Sequence, residues 1–162
     1  MEQYRDFFTA SAGASAAFIG LLFVALAYID TGSVDERAKE WRRIMASSSY
    51  AQLTNIFFVS IAALLPDPHN PAIIACVLAI LGLVVSLRLL PRTIEHERTG
   101  RRTPSRLGLL TVAAYLLELV CAIGLLRYPD QPQLLNYFVL SIIILYGGAL
   151  ARAWEITGIK RR

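Results

Sequence analysis

The chain has 162 residues, room for one domain, of which 56% are hydrophobic and 17% charged, and its mean hydropathy is +0.51. A soluble domain carries about 25% charge and about 45–50% apolar residues, so this composition excludes an ordinary soluble fold and leaves a membrane protein. The formal net charge of +4 does not call for nucleic acid. The basic residues sit in short segments beside apolar runs, where membrane orientation and anionic lipid headgroups account for them.

A spanning helix needs about 20 apolar residues. Five stretches qualify, at 8–28, 44–65, 71–90, 107–126 and 134–154, so the expected fold is all-α: a single polytopic bundle of five transmembrane helices.

The first span is the most distinctive. Ten of its twelve residues from Thr9 to Gly20 are Gly, Ala, Ser or Thr. Association in lipid relies on close backbone approach between small residues, and Ser11, Gly13, Ala16, Ala17 and Gly20 are the expected packing positions. Small residues run almost all round this half-helix. That predicts neighbours on several sides, either at the centre of a monomeric bundle or in the packed core of a homo-oligomer. The leader Met-Glu-Gln-Tyr-Arg-Asp is not net positive, so the span reads as a retained helix and not a cleaved signal. The run from Phe7 to Ala25, FFTASAGASAAFIGLLFVA, resembles the first span of a group of small, uncharacterised bacterial multi-pass inner-membrane proteins. The likeness covers roughly the first thirty residues; it implies a bacterial plasma membrane and no activity.

Gly32 stops the first span, and the Ser33/Glu36 spacing forms a capping box opening a short polar helix to Trp41. The second span then begins with a polar stripe at i, i+4 and i+7: Ser48, Gln52 and Asn55. Such a stripe faces protein or water, not lipid. Pro66 and Pro68 close this span. Asn70-Pro71 caps and opens the third, and Pro91 ends or kinks it. Cys76 in the third span and Cys121 in the fourth are expected at similar depth in the outer half. They are read as two inert thiols, with an interhelical disulfide as the other possibility.

Thr103-Pro104 opens the fourth span, which carries the chemical oddity of the chain. Glu118 stands eleven residues in, about 16 Å from the inner end at 1.5 Å per residue, near the midplane. An ionisable group there costs about 2.5–3.5 kcal/mol or more and is a functional candidate by default. Asn55 shares its depth, Gln52 lies one turn lower, and Ser15 and Ser141 reach the middle from the other side. With Tyr115 these residues form the candidate intramembrane polar path. Two readings compete: a protonated Glu118 that hydrogen-bonds Asn55 or a serine and holds the bundle in register, or an acid that binds a cation or relays protons. Pro129 and Pro132 separate the fourth span from the fifth, where Gly147-Gly148 permits close packing.

Fourteen of the 16 Lys and Arg residues fall in the segments after spans one, three and five or, as Arg88 and Arg152, in the last turn of the span itself; only Arg5 and Arg127 fall on the other side. Positive residues are retained in the cytoplasm, which predicts N-out and C-in. Trp41, Trp154 and Tyr28 then mark the inner interface, and Tyr4, Tyr128 and Tyr137 the outer. Arg88 and Arg152 are placed near the inner interface, too shallow to pair with Glu118.

Enzyme chemistry is not indicated. Glu95-His96-Glu97, the one His/carboxylate cluster, reads as a solvated loop and a poor metal site, and no phosphate-binding or nucleophile-elbow motif occurs. No cofactor is expected. The expected function is a small oligomeric cation or proton channel, or a subunit of such a path. The alternative is a non-catalytic membrane adaptor docking another membrane protein, with anionic lipid at the cytosolic basic segments, Arg98 to Arg106 included.

Overall fold

The computed structural model describes residues 4–29, 36–66, 69–98, 104–129 and 131–156, with side chains at 4–27, 42–66, 69–90, 107–129 and 131–154. The described residues form five helices: α1 (Arg5–Ile29), α2 (Glu36–Ala63), α3 (Asn70–Arg98), α4 (Pro104–Arg127) and α5 (Pro132–Ile156). The starts of α3, α4 and α5 fall on or beside Pro71, Pro104 and Pro132, since proline lacks the N–H that a first helical turn leaves unbonded anyway.

Three boundaries differ from expectation. The polar segment before Trp41 is not a separate short helix but the first turns of α2, which runs unbroken from Glu36; the proposed capping box at Ser33 lies outside the described residues. Pro91 does not end α3, which continues to Arg98. A proline removes one backbone hydrogen bond, and the helix bridges that single loss. Glu95-His96-Glu97 consequently lies on the last turn of α3, not in a loop, with its side chains outside the described residues.

Neighbouring pairs α2/α3, α3/α4, α4/α5 and α5/α2 close a four-helix ring, with α2 and α4 facing each other across its interior. Short connections force consecutive helices to run antiparallel. The fifth helix, α1, packs on the outside of this ring, chiefly against α2. The Tyr4 hydroxyl bonds the Asn136 side chain, so α1 and α5 start at the same end.

The single-chain alternative for the first span is therefore overturned: α2, not α1, is the central helix. The buried positions of α1 are Phe8, Ser11, Ser15 and Leu22, spaced as one seam. Of the five expected packing residues only Ser11 is in it. Gly13, Ala16, Ala17 and Gly20 face outward, and nothing approaches within 4 Å of where a Cβ would stand at Gly13 or Gly20. One seam at helical spacing fills one groove, and the remaining small residues exceed what the chain can cover.

The surface is apolar and the core polar in unusual measure. Leu21, Phe23, Val77, Leu81, Leu109, Val120, Ile123 and Ile143 are all exposed, while Ser49, Gln52, Asn55, Thr111, Glu118, Ser141 and Arg152 are buried. In water this would waste hydrophobic burial and desolvate polar groups; in lipid it is the favourable arrangement. By length and composition four helices can cross a membrane: Arg5–Ala27, Asn70–Leu90, Leu107–Arg127 and Pro132–Trp154. The second helix falls outside that group because its polar residues dilute it.

A close contact fixes the spacing of α3 and α4. A Cβ on Gly82 would overlap the Tyr115 ring, so the glycine makes the room in which that fully buried ring lies.

Candidate functional site

The polar core is built where α2 and α4 face each other. On α4, Thr111, Ala114, Tyr115, Glu118, Cys121, Ala122 and Leu125 are buried, the i, i+3, i+4, i+7 pattern of one inward stripe. On α2 the inward stripe carries Ser49, Gln52, Asn55, Ile56, Val59 and Ser60. The two stripes meet through side chains.

Glu118 is 0% exposed. The Asn55 side-chain nitrogen donates to both of its carboxyl oxygens, at 2.9 and 2.8 Å. Both bonds come from the one Asn55 nitrogen, which is thus the polar partner of Glu118 among the described residues.

One turn along α2, Gln52 Nε2 donates to the Thr111 hydroxyl at 3.0 Å. The same hydroxyl accepts from Arg152 Nη2 at 2.6 Å and donates to the Leu107 carbonyl at 2.9 Å. Arg152 also donates to that carbonyl, at 3.1 Å. A ladder therefore runs Arg152–Thr111–Gln52, then one turn of α2, then Asn55–Glu118. Thr111 and Glu118 are seven residues apart on α4, about 10 Å of helix. Alongside, Ser49 shares its proton between the Met45 and Ala149 carbonyls, at 3.0 and 3.2 Å. The carbonyl oxygens of the Gln52 and Asn55 side chains are buried and accept no hydrogen bond among the described residues. Gly148 is buried beside this ladder, with 3.3 Å between its Cβ position and Gln52 Oε1, so a larger residue would press on the amide.

A crevice of about 20 Å³ opens at the Arg152 end, lined by Ile44, Ser48, Ser86, Leu89, Leu90 and Gly108 together with Arg152. Holding a water takes roughly 10–15 Å³, so it has room for one.

Of the expected path residues, Glu118, Asn55, Gln52 and Tyr115 converge in the ring. Ser15 and Ser141 are fully buried but elsewhere engaged. The Ser15 and Tyr146 hydroxyls lie 2.6 Å apart, and both bond the Ser11 carbonyl, tying α1 to α5. The Ser141 hydroxyl turns back to the Phe138 carbonyl at 2.7 Å. Arg152, Thr111 and Tyr146 were not expected in the core. Arg152 is 4% exposed and reaches inward from the end of α5 to Leu107 and Thr111, without pairing with Glu118. The signal was there: on α5 Ser141, Leu145, Gly148 and Arg152 share one stripe, and Thr111 stands two turns before Glu118 on the stripe of α4. Cys121 is buried, Cys76 half-buried, and both are free thiols. Among the described residues no group of His, Cys, Asp and Glu is placed to hold a metal.

Comparison of the chain with protein-family models, with curated proteins and with solved structures finds no match.

Proposed function

We propose that this chain is a five-span membrane protein whose closed polar ladder handles a proton or small cation at Glu118, as a homo-oligomeric channel or a subunit of a permeation path. The observation that carries this reading is a fully buried acid, held by Asn55 and continued through Gln52 and Thr111 to a crevice at the bundle's end. The two buried amide oxygens beside it are the kind of ligand a water or a cation takes up. Arg152 stands at the crevice, and an arginine in a narrow pore raises a barrier to cations. The conformation described is accordingly a closed one, and passage requires that guanidinium to move.

The second helix counts as a span in this reading in spite of its composition. Its buried polar residues, Ser49, Gln52, Asn55 and Ser60, point into the bundle, while Tyr50, Phe58 and Ile61 face outward, giving its second half an apolar exterior. With five crossings, the basic-residue partition sets N-out and C-in, and the resemblance of the first span suggests a bacterial plasma membrane. Anionic lipid would gather at the cytosolic basic segments.

The uncovered small-residue face of α1 favours a second reading, a membrane adaptor docking another membrane protein. Reconstitution separates the two. Wild-type chain in liposomes should pass protons or a monovalent cation down a gradient; Glu118→Gln should abolish the flux, and Arg152→Gln should raise it. No flux from wild type in any ion gradient would overturn the permeation reading and leave the adaptor. The mass of the complex in detergent tests the homo-oligomer.

A further inference from the structure

We propose that the cleft between α1 and α2 is a binding site for one anionic glycerophospholipid, with an acyl chain in the cleft and the phosphate on Arg43. The proposal rests on the reading of α2 as a membrane span. The cleft has a volume of about 400 Å³, within the range of roughly 300–1,000 Å³ typical of small-molecule sites, and such sites combine apolar walls with a few placed polar groups. Leu22, Phe23 and Leu26 of α1 form one wall, and Arg43, Ser47 and Tyr50 of α2 the other, over the small floor of Ala46.

Its polarity is graded along its length. Arg43, Ser47 and Tyr50 stand at i, i+4 and i+7, one stripe of α2 about 10 Å long. The sequence from charge to hydroxyl to ring repeats the order of a lipid read from phosphate through ester to chain. At the deep end the Phe23 and Tyr50 rings meet edge to face, with centroids 5.6 Å apart, an apolar rest along which an acyl chain continues toward the bilayer interior. At the shallow end Arg43 is exposed. A guanidinium complements a phosphate in charge and can bind it through two N–H groups. Ser47, also exposed, offers a donor one turn deeper.

The packing around the cleft agrees. Leu22, Met45 and Ala46 form a small cluster separate from the main core, with Leu26 and Ile44 against it. The inner half of α1 thus rests on few contacts, and a chain lying in the cleft would supply the surface that α2 alone does not. In the orientation proposed above Arg43 lies at the cytosolic leaflet, where anionic lipids concentrate.

The test exposes the full chain in detergent to phosphatidylglycerol or phosphatidylcholine and counts lipid retained per chain by native mass spectrometry. Wild type should keep about one phosphatidylglycerol and discriminate against phosphatidylcholine. Arg43→Gln should lower retention at least fivefold, and Ser47→Trp, which fills the cleft, should do the same. Arg42→Gln, a neighbouring arginine outside the cleft, should leave it unchanged. Equal retention of both lipids by wild type, or an Arg42→Gln loss equal to that of Arg43→Gln, would overturn the proposal. So would a lipid-free dimer that Ser47→Trp dissociates, which would seat a second chain in the cleft. A tryptophan at Phe58, with Trp41 and Trp154 replaced by Phe, separates this from the span reading. Quenching by lipid brominated at mid-chain, together with no Arg43 effect, overturns the cleft alone. Without quenching, the span reading falls and takes the cleft with it.

Discussion

The first and second helices invert each other. Composition makes α1 a membrane helix with room to spare, yet it lies outside the ring and is fastened along one seam. Composition leaves α2 short of the mark, yet it touches α1, α3 and α5 and carries half of the polar ladder. Hydropathy counts residues without asking which way they face. In lipid the polar residues of a helix report how many protein neighbours it has, because each must find a partner away from hydrocarbon. Small residues report only that a close approach is allowed, and for most of α1 the chain itself makes none.

If that contrast holds, substitutions on the α2/α4 axis should cost far more than those on the outward face of α1. The largest loss is expected for Asn55→Leu, which strips Glu118 of both hydrogen bonds from Asn55. Stability, followed by titrating a mild-detergent sample with denaturing detergent, should fall by about 2–3 kcal/mol. The double variant with Glu118→Leu should recover most of it, since removing both partners leaves nothing unpaired. A double variant as unstable as the single would show that the pair does not hold the ring together.

Next comes Gly82→Ala, whose added methyl meets the Tyr115 ring. A loss of about 1–3 kcal/mol is expected from overpacking, relieved when Tyr115→Leu is combined with it. Ser15→Ala cuts the hydroxyl link to Tyr146 and should cost only about 0.6 kcal/mol, the average for hydrogen bonds between helices in lipid. A cost near that of Asn55→Leu would erase the contrast between the two regions. Smallest is Gly13→Ala on the bare face of α1. Stability of the dispersed monomer should stay the same or rise by up to about 1 kcal/mol. A drop seen only in the reconstituted membrane would mean that another chain covers that face.

The helices themselves were legible because proline and the apolar runs agree on where spans start. The pairing of Glu118 with Asn55 was legible too, since counting residues from the same end of two antiparallel helices gives depth directly. Depth alone does not give direction around the helix. Ser15 reaches the same level but belongs to the α1/α5 seam, and Ser141 satisfies itself on its own backbone. Arg152 stands among the basic residues that set orientation and also bonds Thr111 and the Leu107 carbonyl. A long arginine near a helix end can lie along the interface or turn inward, and only the stripe through Ser141 and Gly148 marks which. The outward position of α1 was not legible at all, because its small residues look alike on every side.

The seam between α1 and α5 has a consequence for how the first helix stays in place. Ser11, Ser15 and Tyr146 close their hydrogen bonds among themselves, and no water waits in hydrocarbon to replace them. Peeling α1 away would strand the Tyr146 hydroxyl in oil and leave Ser15 only its bond within α1, whereas the apolar side chains would scarcely notice the exchange of protein for lipid. The helix is retained less by attraction than by the poverty of its surroundings. It works as a latch whose grip comes from the solvent outside it.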